Sequence, residues 1–219
     1  MAFDRERLSS RLQHVYWIGG GSGAGKSTIA RRLAARHGLS VYSTDDAMAD
    51  HAGRCEPEDC PFLTAFKAMD MDERWVNRSP QTMLETFHWW RGEGFGLIVE
   101  DLLDLPPGQG VIVEGHRLLP HLVRPLLKRR NQGAWLLPTP EFRLAAFSSR
   151  GSMWSIAGKT GNPERALDNL LKRDEMFTDR VEVEATDAGL FLLRVDPAMP
   201  EEEAANRVAA QFGLSHSAP

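Results

Sequence analysis

The 219-residue chain has two cysteines, two tyrosines and no excess of positive charge; its 26 Lys+Arg stand against 30 Asp+Glu, a formal net charge of −4. Two cysteines are too few for a disulfide scaffold, which points to a reducing, cytoplasmic setting. The slight acidity argues against a surface given over to polyanions, because nucleic-acid affinity rests on phosphate neutralisation; no nucleic-acid partner is expected. No apolar run is long enough to cross a bilayer, the best, such as 190–193, being the length of a strand, so no membrane partner is expected either. The first fifteen residues mix Asp4, Arg5, Glu6, Arg7 and Arg11 without an apolar stretch, so no secretory signal is expected. Internal repeats and low-complexity tracts are missing, which excludes a solenoid. What remains is ordinary globular usage, 42% hydrophobic and 26% charged, in a chain long enough to bury a core without staples.

Apolar and turn residues alternate in a regular way. Val15-Tyr16-Trp17-Ile18 is an apolar run that meets a glycine-rich stretch. After it Ile29, Ala30, Leu33 and Ala34 recur at helical spacing, and Gly38 is a natural stop. Val41-Tyr42-Ser43 predicts a second strand, Val111-Ile112-Val113 a third buried on both faces, Ala134–Leu137 a fourth and Leu190–Val195 a fifth. Between them, 47–78 read as short helices and loops. Ser79-Pro80 opens a helix expected to run to Pro106 despite Gly92, Gly94 and Gly96, and another helix starts near Pro120. Further helices are expected near 141–149, from Pro163 to Asp187 and from Pro200 to Phe212. Strands alternating with helices predict an α/β fold in three layers, a parallel sheet with helices on both faces. No linker divides it, so 1–219 reads as one domain with a substrate-side insertion at 47–105 and a lid over about 141–180.

One stretch carries chemistry. Gly20-Gly21-Ser22-Gly23-Ala24-Gly25-Lys26-Ser27-Thr28 contains Gly-x-x-x-x-Gly-Lys-Ser between a predicted strand and a predicted helix. Glycines there let backbone N–H groups converge on phosphate oxygens, and the following helix turns its positive end to the same anion. Lys26 can reach β- and γ-phosphates, and the Ser27 hydroxyl can ligate Mg²⁺. The bland alternative is a tight strand-to-helix turn. Lys-Ser after the last glycine favours a nucleoside triphosphate over a dinucleotide. The Asn-Lys-x-Asp segment of switch GTPases and the Leu-Ser-Gly-Gly-Gln signature of transporter ATPases are both absent.

On these residues the sequence resembles the P-loop small-molecule kinases, the group that holds nucleoside and nucleotide kinases, shikimate and gluconate kinases, chloramphenicol phosphotransferase and zeta toxins. The resemblance implies a core sheet of five parallel strands, a mobile lid rich in arginine, and ATP or GTP with Mg²⁺ as cofactors. It implies that an acidic residue after the second strand contacts a small-molecule acceptor. Asp45 is the first choice and Asp46 the second; the alternative is that one of them caps the next helix. Glu114, ending the third strand, would steer the metal's water shell, or else cap the next segment or pair with Arg117. Lid cations to meet the charge of the transferring phosphoryl group are sought among Arg143, Arg150, Lys159, Arg173 and Arg180, with Arg150 and Arg173 preferred, and Gly151, Gly158 and Gly161 as hinges. An exposed helical arginine is also an ordinary solvated face.

The insertion should shape the acceptor site with Arg74, Arg78, Trp89, Arg91 and Glu100, and Trp90 is expected to sit further inside than Trp89. Aromatic faces beside carboxylates suit a sugar, a nucleobase or a cationic natural product. The reading is a γ-phosphate transfer to a hydroxyl. Its rivals are a nucleotide kinase using Arg54, Arg74, Arg78 and Arg91 on an acceptor phosphate, a zeta-like kinase of sugar nucleotides, and a nucleotide-binding regulator. Cys55 and Cys60 near His51 are expected to be free thiols rather than a zinc site, and Lys128-Arg129-Arg130 a helix end.

Overall fold

Five short β-branched or apolar runs become the strands β1 (Val15–Gly20), β2 (Ser40–Ser43), β3 (Val111–Glu114), β4 (Gly133–Pro138) and β5 (Phe191–Val195). In the computed structural model they form one all-parallel sheet in the order β2-β3-β1-β4-β5. The structure describes residues 2–106, 108–150 and 152–214, with the side chains of 2–5, 147–150 and 152–154 left aside. Parallel neighbours need crossover connections, and these supply α2 (Lys26–His37), α3 (Met48–Arg54), α4 (Pro61–Ala68), α5 (Pro80–Thr86), α6 (Phe95–Asp104), α7 (Pro120–Val123), α8 (Pro140–Arg150), α9 (Ser152–Ala157) and α10 (Pro163–Asp187), while α1 (Ala2–Arg11) precedes β1 and α11 (Glu201–Phe212) follows β5.

Strand alternation sends side chains to two cores. Ile18, Ile112, Ala134, Leu136 and Leu193 pack under Ile29 and Leu33 of α2 and Val208 and Phe212 of α11. On the other face Trp17, Val113, Trp135 and Leu137 pack with Trp90, Phe177 and Val181, the last two from α10. A satellite core of Trp75, Val76, Met83, Ala157, Ala166 and Leu170 joins the insertion to α9 and the first half of α10.

Several boundaries follow local chemistry. Gly38 and Gly213 end α2 and α11 in the left-handed conformation. Ser79 caps α5 by accepting from the Thr82 N–H, with Pro80 in the first turn, as the Ser-Pro pair predicts. Two expectations fail. The helix through Pro106 is broken into α5, which ends where Phe87 turns extended (ψ 109°), a 3₁₀ turn at His88–Arg91, and α6, the last two separated by Gly92 and Gly94 at positive φ (86° and 67°). Lys128-Arg129-Arg130 does not end an α-helix. Lys128 donates to the Ser10 hydroxyl and Arg130 to the Gly189 carbonyl, so the cluster ties a loop to α1 and to the turn before β5.

Candidate functional site

The register sets side by side the carboxyl ends of three strands. Ile18 of β1 lies beside Glu114 of β3, and Glu114 beside Ser43 of β2. An open parallel sheet presents ligand-facing residues at these ends, above all where neighbouring connections run to opposite sides, as they do around β1.

The loop after β1 turns tightly onto the sheet. Gly20 has φ of 121°, and a Cβ there would stand 2.0 Å from the Leu136 carbonyl oxygen, while the Gly21 N–H donates to that oxygen at 3.0 Å. Gly25, at φ 77°, starts α2. Lys26 folds back so that Nζ donates to the Gly21 carbonyl at 2.8 Å. Below it, Glu114 is 3% exposed and accepts hydrogen bonds from the Ser27 and Ser43 hydroxyls. Burial raises its pKa, against the opposing pull of the Lys26 charge and the Ser27 hydrogen bond. Glu114 Oε2 is buried without a hydrogen-bond partner. An oxygen-only pair of Ser27 and an incompletely satisfied Glu114 carboxylate suits a hard cation such as Mg²⁺ with its water shell. Arg117 does not pair with Glu114, one of the alternatives raised by the sequence.

Asp45 follows β2, and its Oδ1 lies 3.0 Å from His116 Nδ1. Burial pushes the Asp45 pKa up, but His116, Lys26 and Arg117 outweigh it and bring the carboxyl down to about 2. The side chain is nevertheless half-exposed. Asp46 is exposed, its N–H held by the Ser43 hydroxyl, and it takes no part in the cavity walls. Of the two carboxylates, Asp45 lines the cavity and Asp46 does not.

Two cavities flank the loop and share Gly23, Ala24 and Gly25. One, of about 410 Å³, is an apolar slot between Thr28, Phe142, Ala146, Val195 and Met199. The other, of about 500 Å³, reaches from Lys26 and Ser27 past Asp45, Glu114 and His116 to Phe66, Trp75, Phe87, Trp89 and Trp90. Trp89 and Trp90 both line it and both are buried, Trp90 the further inside, at 1% exposed against 5%, as its spacing from Phe87 predicts. Arg173 of α10 lies in this wall with its guanidinium 4.7 Å from the ring centre of Trp90, 5.0 Å from Phe87 and 5.2 Å from Trp75. Asp174 accepts from its Nε and Nη2 at 2.9 and 2.6 Å, and Nη1 has no partner.

Four expected acceptor-site residues lie elsewhere. Arg74 donates to the Phe66 and Lys67 carbonyls, and Arg78 to those of Glu73 and Arg74 and to the Thr86 hydroxyl. Arg91 stacks over Phe62, and Glu100 pairs with Arg54 on the surface. Each is held by the insertion's own backbone or side chains, because four short helices joined by turns leave many carbonyls for cations to satisfy. Among the lid cations, Arg143 is buried with Nη2 on the Thr178 hydroxyl, and Arg180 pairs with Glu184 one turn on. The Arg150 side chain and Gly151 lie outside the described residues.

Sequence reasoning missed His116 and Asp174, and a buried network. His51, fully buried, sits between Arg117 Nη1 on Nδ1 and Asp101 Oδ2 on Nε2, each at 2.8 Å; an arginine only donates, so Nδ1 accepts and Nε2 carries the hydrogen. Tyr42 and Arg54 also donate to Asp101. Arg117 reaches the Thr44 and Gly94 carbonyls and stacks on Trp89 at 4.0 Å, which braces the segment before Asp45 against the aromatic wall. These partners are distant in sequence, and no local pattern announces them. Cys55 and Cys60 are free thiols, and among the described residues no group of three or more His, Cys, Asp or Glu side chains is placed to hold a metal ion. Burial, then a hydrogen bond with Cys55, pushes the Cys60 thiol up to about 12.

No protein-family model and no curated protein matches the chain. Among solved structures it is similar to an uncharacterized protein from Eubacterium ventriosum, with a TM-score of 0.47 and 14% identity over 93% of this chain and 99% of that one. It is also similar to NadR protein in complex with NR, with a TM-score of 0.41 and 12% identity over 98% of this chain, which spans 58% of that one.

Proposed function

We propose that the protein is an ATP- and Mg²⁺-dependent phosphotransferase of the P-loop kinase type that moves the γ-phosphate to a hydroxyl of a small molecule. The observation that carries this reading is the placing of two cavities on either side of one glycine loop, both walled by Gly23, Ala24 and Gly25. A hydrolase or a simple nucleotide sensor needs one such space; a transferase needs a second, meeting the first at the reacting phosphate.

The apolar slot suits a nucleobase, and the loop amides with Lys26 suit the triphosphate. Ser27 and Glu114 would hold Mg²⁺, directly and through its water. The ion would neutralise charge on the phosphate oxygens when bound. Asp45, ionised and turned by His116, accepts the hydrogen bond of the acceptor hydroxyl. As the acceptor oxygen bonds to the γ-phosphorus, the bond to the β–γ bridging oxygen breaks and ADP leaves with that electron pair, while the hydroxyl proton passes to Asp45. Arg173, whose Nη1 has no partner, is the lid cation with a hydrogen bond left to give.

The test is incubation with γ-labelled ATP, Mg²⁺ and a fractionated metabolite extract, followed by mass spectrometry for any species that gains a phosphate. Lys26→Ala should lower the rate at least about a hundredfold with an unchanged circular dichroism spectrum. A full rate in a folded Lys26→Ala variant refutes the mechanism.

A further inference from the structure

The second cavity's walls say what kind of acceptor they would take. Resting on the phosphotransferase reading, we infer that the acceptor is an uncharged alcohol carrying a flat aromatic or heteroaromatic ring, and not a phosphomonoester, a bare sugar or a cation.

Charge accounting excludes the phosphomonoester. The cations lining the cavity are Lys26 and Arg173. Lys26 belongs to the loop that receives the nucleotide, and Arg173, joined to Asp174 by two hydrogen bonds, is the cation assigned above to the transferring phosphoryl group, so neither is left for a second phosphate. The insertion's own arginines, which a nucleotide kinase would turn toward an acceptor phosphate, are spent on backbone carbonyls, on Phe62 and on surface carboxylates. A dianion here would face Asp45, Glu114 and Asp174 with no cation of its own.

A cationic acceptor meets the opposite obstacle. The aromatic faces of Trp75, Phe87 and Trp90 already hold a guanidinium within about 5 Å, so a second cation would lie against the first. A bare sugar needs a dense set of polar partners, and the far wall offers Phe66, Trp75, Phe87, Trp89, Trp90, Met48 and Ile156. Phe66 packs edge-on to Trp75 and Phe87 at 5.5 and 5.8 Å with the Arg74 guanidinium 4.7 Å from its ring centre, so the wall meets a further ring mainly with ring edges, a geometry that aromatic pairs favour. That wall also holds polar atoms with no partner. Trp90 Nε1 is buried without a partner, and so is Nδ1 of His88, a residue that burial keeps neutral. A ring with carbonyl or ring-nitrogen acceptors would complete them once these side chains turn to meet it. At about 500 Å³ the space admits such a ring together with its hydroxyl-bearing arm.

The test uses the full chain and saturation-transfer NMR with three probe mixtures: neutral aromatic and heteroaromatic alcohols including the common nucleosides, non-aromatic sugars and polyols, and phosphomonoesters including the nucleoside monophosphates. The compounds that receive saturation should come from the first mixture. Their affinity should fall about tenfold in Phe66→Leu and in Phe87→Leu, which keep apolar bulk but remove the ring; circular dichroism and thermal unfolding confirm that both variants fold. Saturation confined to sugars or phosphomonoesters, no aromatic compound retained, or aromatic affinity unchanged in both folded variants overturns the inference. Calorimetry with Mg-ATP alone, on the wild type and Lys26→Ala, reads the phosphotransferase proposal separately. ATP binding with a non-aromatic acceptor sinks only the acceptor class, and aromatic binding without ATP binding sinks only the kinase.

Discussion

Gly20 and Gly25 both have positive φ, yet they should respond differently to a methyl group. At Gly20 the added Cβ would stand 2.0 Å from a strand carbonyl that cannot move without breaking the β1–β4 pairing. Gly20→Ala should therefore leave little folded protein. At Gly25 nothing lies within 4 Å, so only the left-handed backbone opposes alanine, at about 1–2 kcal/mol. Urea unfolding of the two variants checks the contrast. His88 gives a pH prediction. Burial, then the charges of Arg117 and His116, lower its pKa from 6.5 to about 3. Above about 6.5 both folded and unfolded chains carry it neutral, and its contribution to stability is complete. As the pH falls toward 3, the unfolded chain takes up a proton that the folded chain refuses, so stability is lost. By about pH 4.5 the loss should be roughly 2–3 kcal/mol. The slope of unfolding free energy against pH should flatten in His88→Gln; an unchanged slope would place the linkage in other groups.

The helix α10 carries the acceptor wall as an element. Its Ala166, Leu170, Phe177 and Val181 fill two cores, and the same side of the helix brings Arg173 and Asp174 to the cavity. Asn169, between them, donates to the carbonyls of Trp75 and Val76 at 3.1 and 3.2 Å and so fixes the turn that presents Trp75. Asn169→Ala leaves two buried carbonyls without that donor and should cost roughly 1–3 kcal/mol in urea unfolding. Affinity for aromatic probes should fall with it, because Trp75 loses its anchor. The period of α10 was legible in the sequence, since Leu170, Phe177 and Val181 repeat at helical spacing. The role of Asn169 was not, because its partners lie more than ninety residues away. The same limit explains the insertion's arginines. Their charge suggested a phosphate site, and only the folded path of 61–91 shows which carbonyls claim them.

At the scale of the whole molecule, ligand binding should stabilise the folded chain by mass action. With Mg-ATP at about a hundred times its dissociation constant the gain is roughly 2.7 kcal/mol. For a chain of this length that is about 5–10 °C in Tm. Differential scanning fluorimetry should show the shift in the wild type and lose most of it in Lys26→Ala. An equal shift in both proteins would place the nucleotide away from the loop.

The sequence by itself determined the parts that depend on neighbours along the chain: five strands, the strand–loop–helix around 20–27, the caps at Ser79, Gly38 and Gly213, and the long α10. Apolar periodicity, glycine at positive φ and proline in a first turn act within a few residues, so they can be read locally. Tertiary structure alone decided the strand order, the joining of His116 to Asp45, and the enclosure of Arg173 by three aromatic rings. Those outcomes depend on which side chains from distant segments meet in a buried space, where each cation goes to the nearest unsatisfied acceptor and no local pattern fixes which one that is.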